Sequence, residues 1–359
     1  MSMSNLLASI TGGGTKTIAV MGATGAQGRA VVNAFHELGD SKYEIRAITR
    51  NPDSENAKAI ESLVNEIVKA DGDDEESMVA AFKECHGAFI VSNFWEDMDV
   101  VHEMKTLRTI KEALKKAGVK HVVLSAWEDS RPIVNKAENK DTWKVIEEDL
   151  GMYTSQCDGK AEVAVEYTAE LPTTKLLTSF YYENFIAFGM GPSRQADTDS
   201  YAITFPMADA KLAMVAVEDI GKCACAILQD ESMIGKTVGV HSEALTCKQI
   251  AEVFTKVCGE TVQYNAVPTE VYATFFPGSA DLANMFRFKV EYEAEMLAAR
   301  VISGSIMSKM GSVKSFEDFV IANKSAFDLK PVVEKKVDLA APRKGPVVNP
   351  DGESCCVIQ

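Results

Sequence analysis

The stretch Gly22-Ala-Thr-Gly25-Ala-Gln-Gly28 constrains this chain more than any other. A short apolar run, Thr17-Ile-Ala-Val-Met21, precedes it. After it, Val31, Ala34, Phe35 and Leu38 recur at i, i+3, i+4 and i+7, the period of a buried helix face. The pattern predicts a strand, a glycine-rich turn and a helix, the setting a phosphate-cradling loop needs. Gly22 allows a sharp turn out of the strand. Gly25 removes a Cβ where a pyrophosphate must approach the backbone, and Gly28 lets the helix pack closely on the strand. Free N–H groups at the helix start, and the helix dipole, favour an anion there. A dinucleotide is the expected ligand.

The alternation continues. Tyr43-Glu-Ile-Arg-Ala-Ile48 reads as a second strand, ending at Thr49-Arg50-Asn51-Pro52. NAD-preferring proteins carry an acid here for the ribose hydroxyls. Arg50 instead suits a 2′-phosphate, so NADP(H) is expected over a weaker NAD(H), with Asp53 and Glu55 tempering the preference. A helix carrying Ala59, Ile60, Leu63 and Val64 and a strand Glu66–Ala70 lead to Asp71-Gly72-Asp73. Asp71 either accepts from an adenine amino group or caps the next helix, whose inner face is Met78, Ala81, Phe82 and Cys85. Strand four, Ala88–Ser92, runs into Asn93-Phe94-Trp95-Glu96, where the aromatic pair either flanks a planar ring or closes the core. A long helix presents Leu107, Ile110, Leu114 and Ala117 and stops at Gly118 in the left-handed conformation. Strand five, His121-Val-Val-Leu124, ends in Ser125-Ala126-Trp127.

A further helix opens at Gln156-Cys-Asp-Gly-Lys160 and runs to about Ala169. Strand six, Thr174–Thr178, leads into Ser179-Phe-Tyr-Tyr-Glu-Asn184, and there the rhythm breaks. Val217 starts a helix with Cys223, Ala224, Ile227 and Leu228 inward. Lys236–Val240 reads as a return strand, and Thr246-Cys-Lys-Gln249 has capping-box spacing ahead of Ile250, Phe254 and Val257. The expected fold is α/β: a Rossmann-type doubly wound parallel sheet with a smaller C-terminal α+β lobe. Its parts are a flexible lead-in (1–16), a dinucleotide domain (17–178), a smaller lobe over the cleft that includes the 236–240 strand (179–330), and a mobile tail (331–359).

A net charge of −15 argues against nucleic acid or a bare anionic membrane as an electrostatic partner. The eight cysteines form no Cys-x-x-Cys pair and no secretory signal precedes them, so they read as reduced cytoplasmic thiols. The five histidines are too scattered for a metal site. Cys356-Val-Ile-Gln359 fits a farnesylation box, and the adjacent Cys355 fits a palmitoyl site. Together they predict a tether to a cytosolic membrane face.

Six stretches occur in order: Gly22–Gly28, Thr49-Arg-Asn-Pro52, Phe89-Ile-Val-Ser-Asn93, Asp158-Gly-Lys160, Tyr182-Glu-Asn184 and Asp281-Leu-Ala-Asn-Met-Phe-Arg-Phe288. With them the chain resembles the NmrA-like family, atypical relatives of the extended short-chain dehydrogenases, from about Thr17 to Leu329. Within that family the likeness is to animal members that sense the NADPH/NADP balance. The resemblance implies NADP(H) contacts along the loop, at Gly22, Ala23, Thr24, Gly25, Ala26, Gln27 and Gly28. It implies further contacts at Arg50, Asp71, Gly72, Ser92, Asn93, Phe94 and Lys160, and at Tyr181, Tyr182, Glu183 and Asn184. Two features depart from it: Asp53-Ser54 stands where the animal sensors are basic, and the tail past Pro331 is extra.

Dehydrogenases of the related type use Tyr-x-x-x-Lys, in which the tyrosine passes a proton while hydride moves. Counting back from Lys160, the tyrosine slot holds Gln156, an amide with no acid–base chemistry at neutral pH. Ser125 fills the serine slot, so Ser125 and Lys160 are the remaining catalytic candidates. Tyr153 lies two helical turns before Lys160 and is a poor substitute. The resemblance therefore implies a redox sensor acting through a regulatory protein partner. The alternative is an NADPH-dependent reductase of quinone-like or carbonyl acceptors stacked on Phe94, Trp95, Tyr181 and Tyr182.

Overall fold

The computed structural model describes residues 14–195, 200–327 and 329. The lead-in before residue 14, and the tail with Cys355 and Cys356, lie outside the described residues.

Six strands alternate with helices through the first half: β1 (Lys16–Met21), β2 (Tyr43–Thr49), β3 (Glu66–Lys69), β4 (Gly87–Ile90), β5 (His121–Ala126) and β6 (Thr173–Leu177). Between them run helices α1 (Ala26–Leu38), α2 (Glu75–Phe82), α3 (Val100–Ala117) and α4 (Ser155–Glu170). Next come β7 (Phe180–Tyr181), β8 (Ser193–Arg194), β9 (Tyr201–Phe205), β10 (Lys211–Val215) and α5 (Val217–Leu228). The remaining main elements are β11 (Thr237–Gly239), β12 (Glu243–Thr246), α6 (Cys247–Cys258), β13 (Val262–Ala266) and α7 (Ser279–Glu291).

The main sheet has seven strands in the order β11-β6-β5-β4-β1-β2-β3, all pairs parallel. Alternation along β1 shows why both faces are covered. Ile18 and Val20 join one core cluster with α1 and α5, whereas Ala19 joins another with α2, α3 and α4. The order reverses direction between β1 and β4, which opens a crevice at their carboxyl ends. The smaller lobe holds two three-stranded sheets, β12-β10-β7 and β13-β9-β8. Its core is aromatic, with Phe180, Phe185, Phe205, Phe254 and Phe286 in mutual ring contact.

The local signals act as the sequence suggests. Gly118 ends α3 in the left-handed region at φ 71°, and Thr246 with Gln249 forms a reciprocal capping box on α6. Four expectations are corrected. The strand expected at 236–240 forms as β11, but it pairs with β6 in the main sheet rather than joining the smaller lobe. α5 likewise packs on α1, so the chain re-enters the first domain after residue 216. The helix expected around 59–64 is a short helix, Glu55–Lys58, and a separate 3-10 turn, Glu61–Leu63, broken at Ile60, whose side chain is fully buried. Leu38, the last residue of α1, lies past the packed face and is exposed.

The re-entry depends on close helix contact. A Cβ on Gly221 of α5 would stand 2.2 Å from the Ala30 carbonyl oxygen of α1. Gly221→Ala should therefore force the helices apart and cost about 1–3 kcal/mol. The check is urea unfolding, with a lower midpoint at unchanged slope; an unaltered midpoint would show that this contact yields freely.

Candidate functional site

The glycine loop is built by backbone geometry. Gly22 turns out of β1 at φ +61°. A Cβ on Gly28 would lie 2.2 Å from the Gly22 carbonyl oxygen and 2.8 Å from that of Met21. This close approach brings the start of α1 against the end of β1. Gly25, at the helix N-cap, supplies no side chain to cap the first N–H groups, and the first turn carries no acid. An anion finds donors and the positive end of the dipole there.

The loop is one wall of a cleft of about 330 Å³ at the carboxyl ends of the first four strands. Gly22, Thr24, Gly25, Ala26, Gln27 and Gly28 line it together with Arg50, Asp71, Gly72, Ser92 and Asn93. Stretches far apart in sequence thus converge as expected. Ala23 and Phe94 do not line the cleft: Ala23 is fully buried in the core, and Phe94 packs edge-on against Trp95 at 5.2 Å. The aromatic pair therefore closes the core. Asp71 accepts from the Asp73 N–H at 3.1 Å, and Asp74, not Asp71, caps α2.

The cations of the cleft are already engaged. Arg50 donates to both carboxylate oxygens of Glu96, at 2.6 and 3.1 Å. His102 sits between two acids, Asp97 at 2.5 Å and Asp73 at 2.8 Å, and Thr106 also donates to Asp73. Hydrogen bonds to Asp97 and then Asp73 lift the imidazole pKa to about 9. The pair of bonds fastens the loop after β3 to the loop after β4.

The inner end of the cleft departs furthest from expectation. Lys160 does not line it; its ammonium is buried 3.1 Å from the carboxylate of Glu103, which does. Gln156 donates through its side chain to Asp281 of α7 at 3.0 Å and through its backbone N–H at 3.3 Å, and Ser155 donates to the same carboxylate. Burial, against these donors, pushes the Asp281 carboxyl up to about 6. Tyr153 turns away from Lys160 and donates to Asn135 at 2.8 Å. Ser125 is buried at the end of β5.

The segment after β6 is mostly structural. Tyr181 accepts a 2.6 Å bond from the Gln27 amide. Tyr182 packs on Phe316 and Phe319 and donates to the Lys314 carbonyl. Glu183 accepts from the Val217 N–H at the start of α5, and burial raises its pKa to about 7. Asn184 is fully buried with neither amide atom hydrogen-bonded. Glu96, His102 and Glu103 were not anticipated as site residues. A signal for Glu103 existed: it falls on the stripe of Leu107, Ile110 and Leu114, an acid on an apolar face.

A family model for the NmrA-like family matches residues 14–320. The NmrA-like family domain-containing oxidoreductase malD of Malbranchea aurantiaca is 30% identical over 260 residues, covering 70% of this chain and 75% of that protein. Two solved structures share the fold. One is NmrA, a negative transcriptional regulator in complex with NADP, at TM-score 0.66 and 17% identity over 88% of this chain and 98% of that one. The other is the Citrobacter sp. triphenylmethane reductase complexed with NADP(H), at TM-score 0.62 and 22% identity over 86% and 99%.

The raised pKa of His102 has a fixed sign. Its share of stability is full below the ordinary value of 6.5 and is lost as pH rises through about 9. An NMR titration of the His102 ring should give a midpoint near 9, falling toward 6.5 in Asp97→Asn. A wild-type midpoint near 6.5 would mean that the two-acid clamp does not hold.

Proposed function

Since the chain belongs to the NmrA-like family, we propose that it binds NADP(H) and reports the state of the cofactor to a protein partner, without the tyrosine proton relay. The observation that carries this is Gln156. The residue in the relay slot is an amide, and it is committed to Asp281 across the lobe boundary. The cleft wall supports dinucleotide binding: it presents the Gly22–Gly28 turn, the uncapped start of α1 and Arg50 at the end of β2.

The residues fit the group they would hold. The first turn of α1 would take the pyrophosphate, and Arg50 would turn from Glu96 to the 2′-phosphate. Bound there, the cofactor would supply a hydride. Of the four aromatics that could stack an acceptor, Phe94 and Tyr182 lie in the core, Tyr181 is held by Gln27, and half-buried Trp95 packs edge-on against Phe94. This favours sensing over turnover. The reductase reading is kept because the malD relative is named an oxidoreductase and because a quinone takes its proton from water.

The deciding measurement is NADPH consumption with a panel of quinones and aldehydes, alongside hydrogen exchange with NADPH or NADP⁺ bound. Sensing predicts turnover below about one per second and exchange that differs between the two forms near the Gln156–Asp281 contact. Sustained faster turnover would establish the reductase instead.

Arg50 and Glu96 should act with opposite signs. Arg50→Ala removes a charge-assisted contact of about 1.5–3 kcal/mol and should weaken NADPH roughly ten- to a hundredfold more than NADH. Glu96→Gln removes the competing carboxylate and should strengthen NADPH a few-fold while leaving NADH unchanged. Calorimetric titration reads both, and equal effects on the two cofactors would reject the assignment.

A further inference from the structure

Glu103 has no role in the reading above, yet its setting is unusual. It is 5% exposed, lies on the apolar stripe of α3 and lines the cleft. Among the described residues, neither carboxylate oxygen receives a hydrogen bond, and its one ionic neighbour is the buried ammonium of Lys160 at 3.1 Å. A buried carboxylate ordinarily gathers several donors, because removing it from water without them is costly. Asp158, two residues before Lys160 on α4, shows the ordinary case. It accepts from the backbone and hydroxyl of Ser130 and from the N–H groups of Tyr153 and Thr154. Glu103 has no such donors among the described residues.

The fold holds Glu103 in this position. A Cβ on Gly159 would stand 2.4 Å from Val100 Cγ2, so α3 and α4 approach closely where Lys160 meets Glu103. The lysine neutralises the pair, so a cationic ligand gains little there, and an anion is repelled by the carboxylate. The remaining complement is a neutral group that donates two hydrogen bonds side by side. A ribose cis-diol does this, and carboxylates are the side chains that bind it in dinucleotide sites. The usual place for that acid, the end of β2, holds Arg50. That acid serves the adenosine ribose; Glu103 on α3, beside Lys160, offers a carboxylate at a different part of the cleft.

We propose that Glu103 is the diol-binding residue of the cleft, accepting from both hydroxyls of an unphosphorylated ribose. This rests on the NADP(H) reading. Since the adenosine ribose of that cofactor carries the 2′-phosphate, the diol belongs to its nicotinamide ribose; in NAD(H) either ribose offers one.

The test is titration calorimetry of the full chain with NADPH and with 2′,5′-ADP, which has no cis-diol. Glu103→Gln should weaken NADPH about five- to tenfold, the loss of one charge-assisted bond, and leave 2′,5′-ADP unchanged. Glu103→Asp keeps the charge beside Lys160 and withdraws it by one methylene. It guards against misfolding in the first variant and should show the same selective loss. ADP, which carries a diol on its adenosine, separates the sources: its affinity should be unaffected. Equal weakening of NADPH and 2′,5′-ADP, or weakening of ADP with NADPH unchanged, would overturn the assignment, as would unaltered NADPH affinity in both variants. A wild-type protein that binds 2′,5′-ADP but not NADPH would overturn it too. Failure of the wild type to bind either would remove the reading beneath it.

Discussion

The carboxylate of Asp281 joins the two lobes at the point where the site is assembled. It is buried, and it accepts from the Ser155 hydroxyl, the Gln156 backbone and the Gln156 amide. Those donors form the first turn of α4, whereas Asp281 belongs to α7 of the smaller lobe. A buried acceptor that loses its partner costs about 1–3 kcal/mol, and more when charged, so α4 cannot slide on α7 without penalty. Burial still outweighs the donors and lifts the carboxyl from its ordinary 3.8 to about 6. Asp281 therefore favours the fold most when protonated, and that share is lost as pH rises through about 6. One turn along α4, Lys160 meets Glu103. The inner end of the cleft is thus positioned by an interaction between lobes rather than by the sheet alone.

The outer end follows a different rule. Arg50 and His102 are cations of the cleft, and each is bound to acids on neighbouring loops. These groups are half exposed, and pairs of that kind are worth roughly 0–1 kcal/mol each. An exchange of Glu96 for a doubly charged phosphate is therefore accessible, but only the difference between the two partners appears as affinity. On the proposed NADP(H) reading, the acids of the cleft would make the preference conferred by Arg50 moderate rather than absolute. His102 differs in purpose: its two acids lie on separate loops, so its charge fixes the spacing of the cleft walls.

Much of this was legible in the sequence where the cause is local. Gly28 is required because a strand and a helix meet within a few residues, and Gly118 and the Thr246–Gln249 box act within a single turn. Six strands of the main sheet follow from alternation, and Gln156 is legible by counting from Lys160. What was not legible depends on contacts remote in sequence. The re-entry of β11 requires knowing that the edge of β6 stands open. The break at Ile60 arises because a core residue overrides helix period. Phe94 reads equally as ligand platform or core, and only its place in the core beneath α2 and α3 decides it, whereas Tyr182, read as a ligand contact, is claimed by the aromatic cluster of the smaller lobe. Glu103 was passed over because an acid within a helix usually faces water, although its neighbours on the stripe are all buried.

Reduction of a carbonyl requires a proton at the oxygen as hydride arrives. Around the inner end of this cleft, four of the described groups are unsuited or already committed. The Gln156 amide has none to transfer, and Tyr153 donates to Asn135. Tyr182 donates to the Lys314 carbonyl, and burial raises its phenol further. The Lys160 ammonium lies against Glu103. On the proposed reading, an acceptor bound here would draw its proton from water. The same arrangement gives a bound ligand mechanical reach. A ligand touching Glu103 acts beside Lys160, on the helix whose first turn is fastened to α7. It can shift the lobe arrangement only by as much as its affinity differs between the two arrangements. A contact one turn from the lobe junction is where such a difference would arise, since repacking there moves Lys160 and Gln156 together on one rigid helix.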